Sequence, residues 1–210
     1  MTRARRGTYL VLEGIDGAGK STLLRGLARS LRRRGVSVAV RREPADARLG
    51  ALAQSAASED PWTGAVYFTV DRHLAAPDVE RDLWCHDVVL QDRSFYSTLA
   101  YQGSALPPRE RRRLVQLQRS AVRPPDRVVL LDLPPSVALR RLGGRAASRG
   151  PLERRRTLLR VARAYRQLAR SGGWQVLDAR APPRDLLGQV LDALPRTVLR
   201  PRKRPARRRR

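Results

Sequence analysis

The chain has 210 residues, 41% of them hydrophobic, and its 44 Lys plus Arg against 19 Asp plus Glu give a formal net charge of +25. That length suits one compact α/β domain or a small domain with extensions, and no apolar run approaches the length of a membrane span. One cysteine and two histidines exclude an internal disulfide framework and leave almost no scope for a Cys/His zinc site, while the positive charge is spread along the chain as arginine rather than gathered in a stripe.

In chain order, the basic start Met1 to Arg6 is followed only by "YLVL" before Glu13, too little for a signal-peptide core, so the expected compartment is the cytoplasm. "TYLVLE", Thr8–Glu13, reads as a buried strand. The next segment, 20–34, puts Leu23, Leu24, Leu27, Ala28 and Leu31 on one helical face, and Gly35 ends it. Further strands are expected at 36–41, 87–92, 127–133 and 174–179, with helices near 49–57, 65–83, 108–122, 136–142, 153–170 and 183–194. Strands alternating with helices mean βαβ units and a five-stranded parallel sheet covered on both faces. Cys85-His86 has the composition of a catalytic pair, but Cys85 adjoins Trp84 before a strand and reads as a buried apolar residue. Small, flexible "GGRAASRG", Gly143 to Gly150, is expected to form a short mobile lid spanning about 143–152. A folded domain over 1–194 then gives way to a basic tail, 195–210, ending in "RPRKRPARRRR" and expected to be disordered. That tail is either simply solvated or makes weak, salt-sensitive contact with nucleic acid, another polyanion or an acidic membrane surface.

Chemistry enters at Gly14-Ile15-Asp16-Gly17-Ala18-Gly19-Lys20-Ser21, continued by Thr22, which fits G-x-x-x-x-G-K-[ST] between a strand and an amphipathic helix. Glycines let successive N–H groups curl around phosphate oxygens, and the helix N-terminus adds positive potential. Lys20 and Lys203 are the only lysines in the chain. A sequence that otherwise writes arginine keeps a compact ammonium at position 20 because a planar guanidinium would not fit the same hole among the β- and γ-phosphates. Ser21 offers its hydroxyl to Mg²⁺. GTPases, ATPases, kinases and transport ATPases share such a loop, so it leaves the acceptor open.

The acceptor side is sought at the other strand ends. Glu43-Pro44 makes a rigid turn at the carboxyl edge of the sheet, where open α/β sheets place ligands. Phe68 and Arg72, four residues apart, share one helical face. "DRSFYSTLAYQG", Asp92 to Gly103, starts at a strand end: Asp92 can hold the water shell of Mg²⁺, Arg93 can clasp a phosphate bidentately, and Tyr101-Gln102 can present a ring and an amide to a base edge.

These stretches together carry a resemblance. "EGIDGAGKST", "REP", Phe68 with Arg72, "DRSFYSTLAYQG", "PDRVVLLDLPPSVALRR" and "RVARAYRQLA" occur in the order and approximate spacing of the thymidylate kinase family, and the match runs through about Leu194. The resemblance implies a three-layer α/β/α P-loop kinase of the nucleoside-monophosphate type, with ATP and Mg²⁺, that passes the γ-phosphoryl group to dTMP. It implies that Phe68 stacks on thymine and that Arg72 and Gln102 bond to the base edge. It further implies that Arg93 binds the dTMP phosphate, that Thr98 and Tyr101 shape the sugar and base pocket, and that Asp16 lies between donor and acceptor. Because residue 17 is Gly, the family pattern takes its extra cation from the lid, which nominates Arg145 and Arg149 as catalytic beside Lys20 and Arg93. It also implies a homodimer, with apolar positions in 65–83 and 108–122 as candidate faces.

Three features depart from the family pattern. Ala45-Asp46 stands where Gly-Gly is usual, the arginine expected near the acceptor phosphate falls on Gln54 with Arg48 as a nearby substitute, and the lid lacks the usual Asp-Arg-Phe/Ile-Glu stretch. Two other readings therefore stay open. One is a related nucleoside or nucleotide kinase with a different acceptor. The other is a non-catalytic, nucleotide-dependent polyanion binder that works through its basic tail.

Overall fold

The computed structural model describes residues 6–143 and 151–199. Five strands, β1 (Thr8–Glu13), β2 (Val38–Arg42), β3 (Val88–Asp92), β4 (Arg127–Asp132) and β5 (Gln175–Asp178), pair in the order β2-β3-β1-β4-β5, and every pairing is parallel. The central strands are nearly continuous apolar runs because helices cover both faces of the sheet. Alternate residues of β1 divide between the faces. Leu10 and Leu12 join a core with Leu27 and Leu31 of α1 (Lys20–Arg33), whereas Tyr9 and Val11 pack with Leu83 of α3 (Pro61–Cys85).

The other helices are α2 (Ala47–Glu59), α4 (Phe95–Tyr101), α5 (Pro108–Ala121), α6 (Pro135–Leu142), α7 (Pro151–Gly172) and α8 (Pro183–Ala193). The expected strands and helices are all present, with ends moved by a few residues. The outward shifts follow local chemistry: Asp46 and Asp60 accept backbone N–H bonds and start α2 and α3 earlier than hydrophobic spacing indicates. Helix α4 was not anticipated. At seven residues it is too short for a readable hydrophobic period, and Ser94 caps it through a bond from Tyr96 N.

Two expectations change. Cys85 is exposed, because Leu83 is the last inward position of α3 and the helix runs two residues beyond it. Packing also continues past residue 194: Val198 is buried and Leu199 lies against the same core as Leu194, so the packed body reaches Leu199. Residues 200–210 and positions 144–150 of the expected lid, Arg145 and Arg149 included, lie outside the described residues. What the fold does for function is to bring the C-terminal ends of β1, β2 and β3 to one rim, followed by the glycine loop, Glu43-Pro44 and Arg93.

Candidate active site

The loop after β1 needs glycine for two different reasons. Gly14 has φ +144°, and a Cβ there would meet the Leu131 carbonyl oxygen at 2.6 Å. Gly19, the residue before α1, has φ +93° in open space, so conformation alone demands it. Lys20 is buried, and its Nζ donates to the carbonyls of Gly14 at 3.0 Å and Ile15 at 3.1 Å. Burial and then the neighbouring charge of Arg93 pull its ammonium down to about 8. Ser21 Oγ donates to Asp92 Oδ2 at 2.6 Å, while Asp92 Oδ1 is buried with no hydrogen-bond partner among the described residues. An orphaned carboxylate oxygen beside a hydroxyl is the donor set a Mg²⁺ ion or its water shell accepts.

Arg93 follows β3 with φ +71°, a left-handed conformation that costs a non-glycine residue of order 1–3 kcal/mol. Two bonds to its main chain hold it there, one from each kind of partner: Arg93 N donates to the Leu12 carbonyl at 3.0 Å, and the Gln91 side-chain Nε2 donates to Arg93 O at 2.9 Å. The turn sends the guanidinium back over the glycine loop. Nη2 lies 2.5 Å from Asp16 Oδ1, Nη1 donates to Ser97 Oγ at 3.1 Å, and Cζ lies 5.3 Å from the centroid of the Tyr101 ring. Tyr101 OH donates to Asp16 Oδ2 at 3.1 Å and accepts from Asp16 N at 3.2 Å. Burial opposes ionisation of Asp16, but Arg93 and Lys20 outweigh it and hold the carboxyl below its ordinary value.

Beside this cluster lies a cleft of about 660 Å³. Asp16, Glu43, Pro44, Phe68, Arg72, Arg93, Thr98, Tyr101 and Gln102 all line it, so the structure brings the acceptor-side residues together around one opening. Phe68 belongs to none of the packed core clusters, and the Gln102 amide makes no hydrogen bond to another described residue. A ring and an amide are thus available to a planar ligand. Arg72 is far more committed than its sequence position implies. Nε and Nη2 grip Glu43 at 2.6–3.0 Å, Nη2 also donates to Thr98 Oγ1 at 3.2 Å, and Nη1 donates to Gln118 Oε1 at 2.6 Å. By the inventory of guanidinium donors, only Nη1 keeps a hydrogen for a ligand. Gln118, fully buried on α5, in turn donates to Thr69 Oγ1 at 2.6 Å.

The departures also find their places. Asp71, buried on α3, accepts the N–H groups of Ala45 at 2.8 Å and Asp46 at 2.7 Å, which fixes the loop without its usual glycines. Among the described residues, Gln54 lines the cleft and Arg48 does not; the described cations that do, besides Arg72 and Arg93, are Arg156 and Arg160 of α7. Sequence reasoning missed Asp71, Gln118, Arg156 and Arg160. Only the i,i+4 spacing of Arg156 and Arg160 left a local trace, lost among many arginines. Asp132, at the end of β4, accepts from Arg166 Nε at 2.8 Å, a structural pairing away from the cleft.

Comparison with known proteins shows the family. The profile of the family described as Thymidylate kinase matches residues 12–190. A probable thymidylate kinase of Methanothermobacter thermautotrophicus is 37% identical over 81% of this chain and 86% of its own length. The thymidylate kinase of Xanthomonas euvesicatoria pv. vesicatoria is 37% identical over 88% of this chain and 81% of its own. A probable thymidylate kinase of Pyrobaculum aerophilum is 32% identical over 90% and 97% respectively.

Proposed function

The chain belongs to the thymidylate kinase family, and from that membership we propose how its cleft performs the reaction. The enzyme transfers the γ-phosphoryl group of ATP to dTMP, giving dTDP and ADP. The observation that carries the residue-level reading is convergence: the acceptor cleft opens onto the glycine loop across the Asp16–Arg93 pair.

In this reading Gly14 to Thr22 wrap the β- and γ-phosphates of ATP, with the Lys20 ammonium moving from the Gly14 and Ile15 carbonyls onto phosphate oxygens. Ser21 and Asp92 would hold Mg²⁺, which supplies charge neutralisation at those oxygens. Phe68 stacks on thymine, Gln102 and the remaining Nη1 hydrogen of Arg72 meet the base edge, and Tyr101 and Thr98 bound the sugar. Arg93 receives the dTMP phosphate. Asp16 steers that guanidinium and bounds the space between the nucleotides. Bringing two phosphate anions into line is repulsive unless cations lie between them, and phosphoryl transfer asks for little else than positioning and charge neutralisation. Arg156 and Arg160 add positive charge to the same cleft that Gln54 lines in place of the family arginine. Arg145 and Arg149 remain the nominated lid cations.

The reading extends to assembly and address. Val66, Val70 and Leu74 form an exposed stripe along α3, with Tyr67 beside it, and we assign that face to a second copy of the chain. Helix α5 contributes less than expected, because Leu114 is buried and Val115 and Leu117 pack inward. No described helix is long and apolar enough to cross a membrane. The reading places the enzyme in the cytoplasm with its substrates, and leaves weak polyanion contact to the tail beyond Leu199.

A coupled assay of ADP formation with dTMP, dUMP, dGMP and thymidine tests the acceptor. Preferred turnover of dTMP is expected. Turnover of another acceptor with none of dTMP would overturn the assignment. Salt-sensitive nucleic-acid binding without kinase activity would favour the tail-driven binder.

A further inference from the structure

Arg93 is held in an unfavourable backbone conformation at the meeting point of the two nucleotides, so its aim must be fixed by something behind it. Behind it lies Glu13, the last residue of β1 and fully buried. Glu13 Oε1 accepts from Ser94 N at 2.8 Å and Ser94 Oγ at 2.7 Å; Oε2 accepts from Ser97 Oγ at 2.8 Å and Tyr165 OH at 3.0 Å. Those last two oxygens receive Arg93 Nη1 at 3.1 Å and 3.5 Å. Ser97 Oγ and Tyr165 OH lie 2.8 Å apart. Each hydroxyl carries one proton: either both donate to Glu13 and neither donates across that gap, or one donates across it and the other to Glu13; in both arrangements their lone pairs accept from the Arg93 guanidinium. Burial pushes the Glu13 carboxyl up, while the Ser94 hydroxyl, the Arg93 charge and the Ser97 and Tyr165 hydroxyls pull it back toward ionisation.

We propose that Glu13 is a positioning residue for phosphoryl transfer: through Ser94, Ser97 and Tyr165 it fixes the Arg93 guanidinium against the acceptor phosphate. Glu13 is sealed from the cleft, so it acts on substrate only through Arg93. A purely stabilising role fits poorly, because an apolar side chain of similar volume usually serves stability as well as a buried carboxyl does. The two edges of the guanidinium are then held from opposite sides, Nη2 by Asp16 on the loop and Nη1 by the Glu13 hydroxyl pair.

This proposal rests on Arg93 as the acceptor-phosphate ligand, and the test separates the two ideas. Glu13→Gln, Ser97→Ala and Tyr165→Phe are each made in the full chain and again in an Arg93→Ala background. Steady-state constants and dTMP affinity by NMR titration are measured for all. We expect kcat to fall about 10- to 100-fold in the parent background, the loss that follows misplacing a reacting group by about 1 Å, with KM for ATP changed less than about 2-fold. In the Arg93→Ala background the same changes should lower the remaining kcat, and alter dTMP affinity, by less than about 2-fold. Equal losses in both backgrounds, or a parallel rise of KM for ATP, would overturn the positioning role. If Glu13→Gln does not fold, Ser97→Ala and Tyr165→Phe carry the test, since each removes only one hydroxyl. If Arg93→Ala itself leaves dTMP affinity and kcat intact, the reading of Arg93 fails, and this proposal with it.

Discussion

Lys20 is a cation placed beside another cation inside the protein, with Asp16, Asp92 and Glu13 as the nearby carboxyls that keep it charged. Its ammonium titrates near 8, so free enzyme loses the charge as pH rises through that value. Since kcat/KM reports the free enzyme and kcat the loaded one, kcat/KM for ATP should fall above about pH 8 while kcat persists to higher pH, where bound phosphates keep Lys20 protonated. Lys20→Arg should abolish that break and still lose most turnover, about 10²-fold, because the guanidinium cannot occupy the ammonium's place. A pH profile of both proteins checks the sign and the loss together. Arg72 supports a different expectation. Its partner Glu43 is nearly buried, so Arg72→Ala should lower stability by about 3–5 kcal/mol by leaving that carboxylate without its cation and, among the described residues, with only the Gln91 amide as a donor. It should also raise KM for dTMP at least tenfold and leave KM for ATP within about twofold, as one lost edge contact to the base would. Thermal unfolding and two-substrate kinetics read the two effects separately.

Helix α3 carries three duties on three faces. Phe68 and Arg72 line the cleft, Asp71 fastens the loop that follows Glu43-Pro44, and Val66, Val70 and Leu74 are exposed. Asp71→Asn removes a charged acceptor from two backbone N–H groups. It should destabilise the protein by about 1–3 kcal/mol and raise KM for dTMP with KM for ATP unchanged; denaturation and kinetics check it. The strands were readable because parallel strands buried on both faces leave continuous apolar runs, as in "VVLL" of β4. The glycine loop was readable because its chemistry is local in sequence. Helix α4 was not, since Phe95, Thr98, Leu99 and Ala100 are buried over barely two turns. Glu13 with Ser97 and Tyr165, and Arg72 with Gln118, were hidden for another reason. Their bonds join residues 46 to 152 positions apart, and no spacing rule reaches so far.

Across the whole molecule, the parallel sheet collects the ends of three strands at one rim, so two anionic nucleotides can be met by one ammonium and several guanidinium groups. The exposed stripe of α3 makes the second molecular-scale expectation. Leu74→Asp should convert the proposed dimer to monomer in light scattering, with the fold retained, because it would place a charge in the proposed apolar contact. A crystal structure with a thymidine–adenosine bisubstrate analogue joined through phosphates would show whether the two nucleotides meet across Lys20 and Arg93. The thymine ring should lie on Phe68, the linking phosphates between Lys20 and Arg93, and the adenosine half beyond the glycine loop. Thymidine bound anywhere other than the cleft flanked by Phe68, Arg93 and Tyr101 would contradict that arrangement.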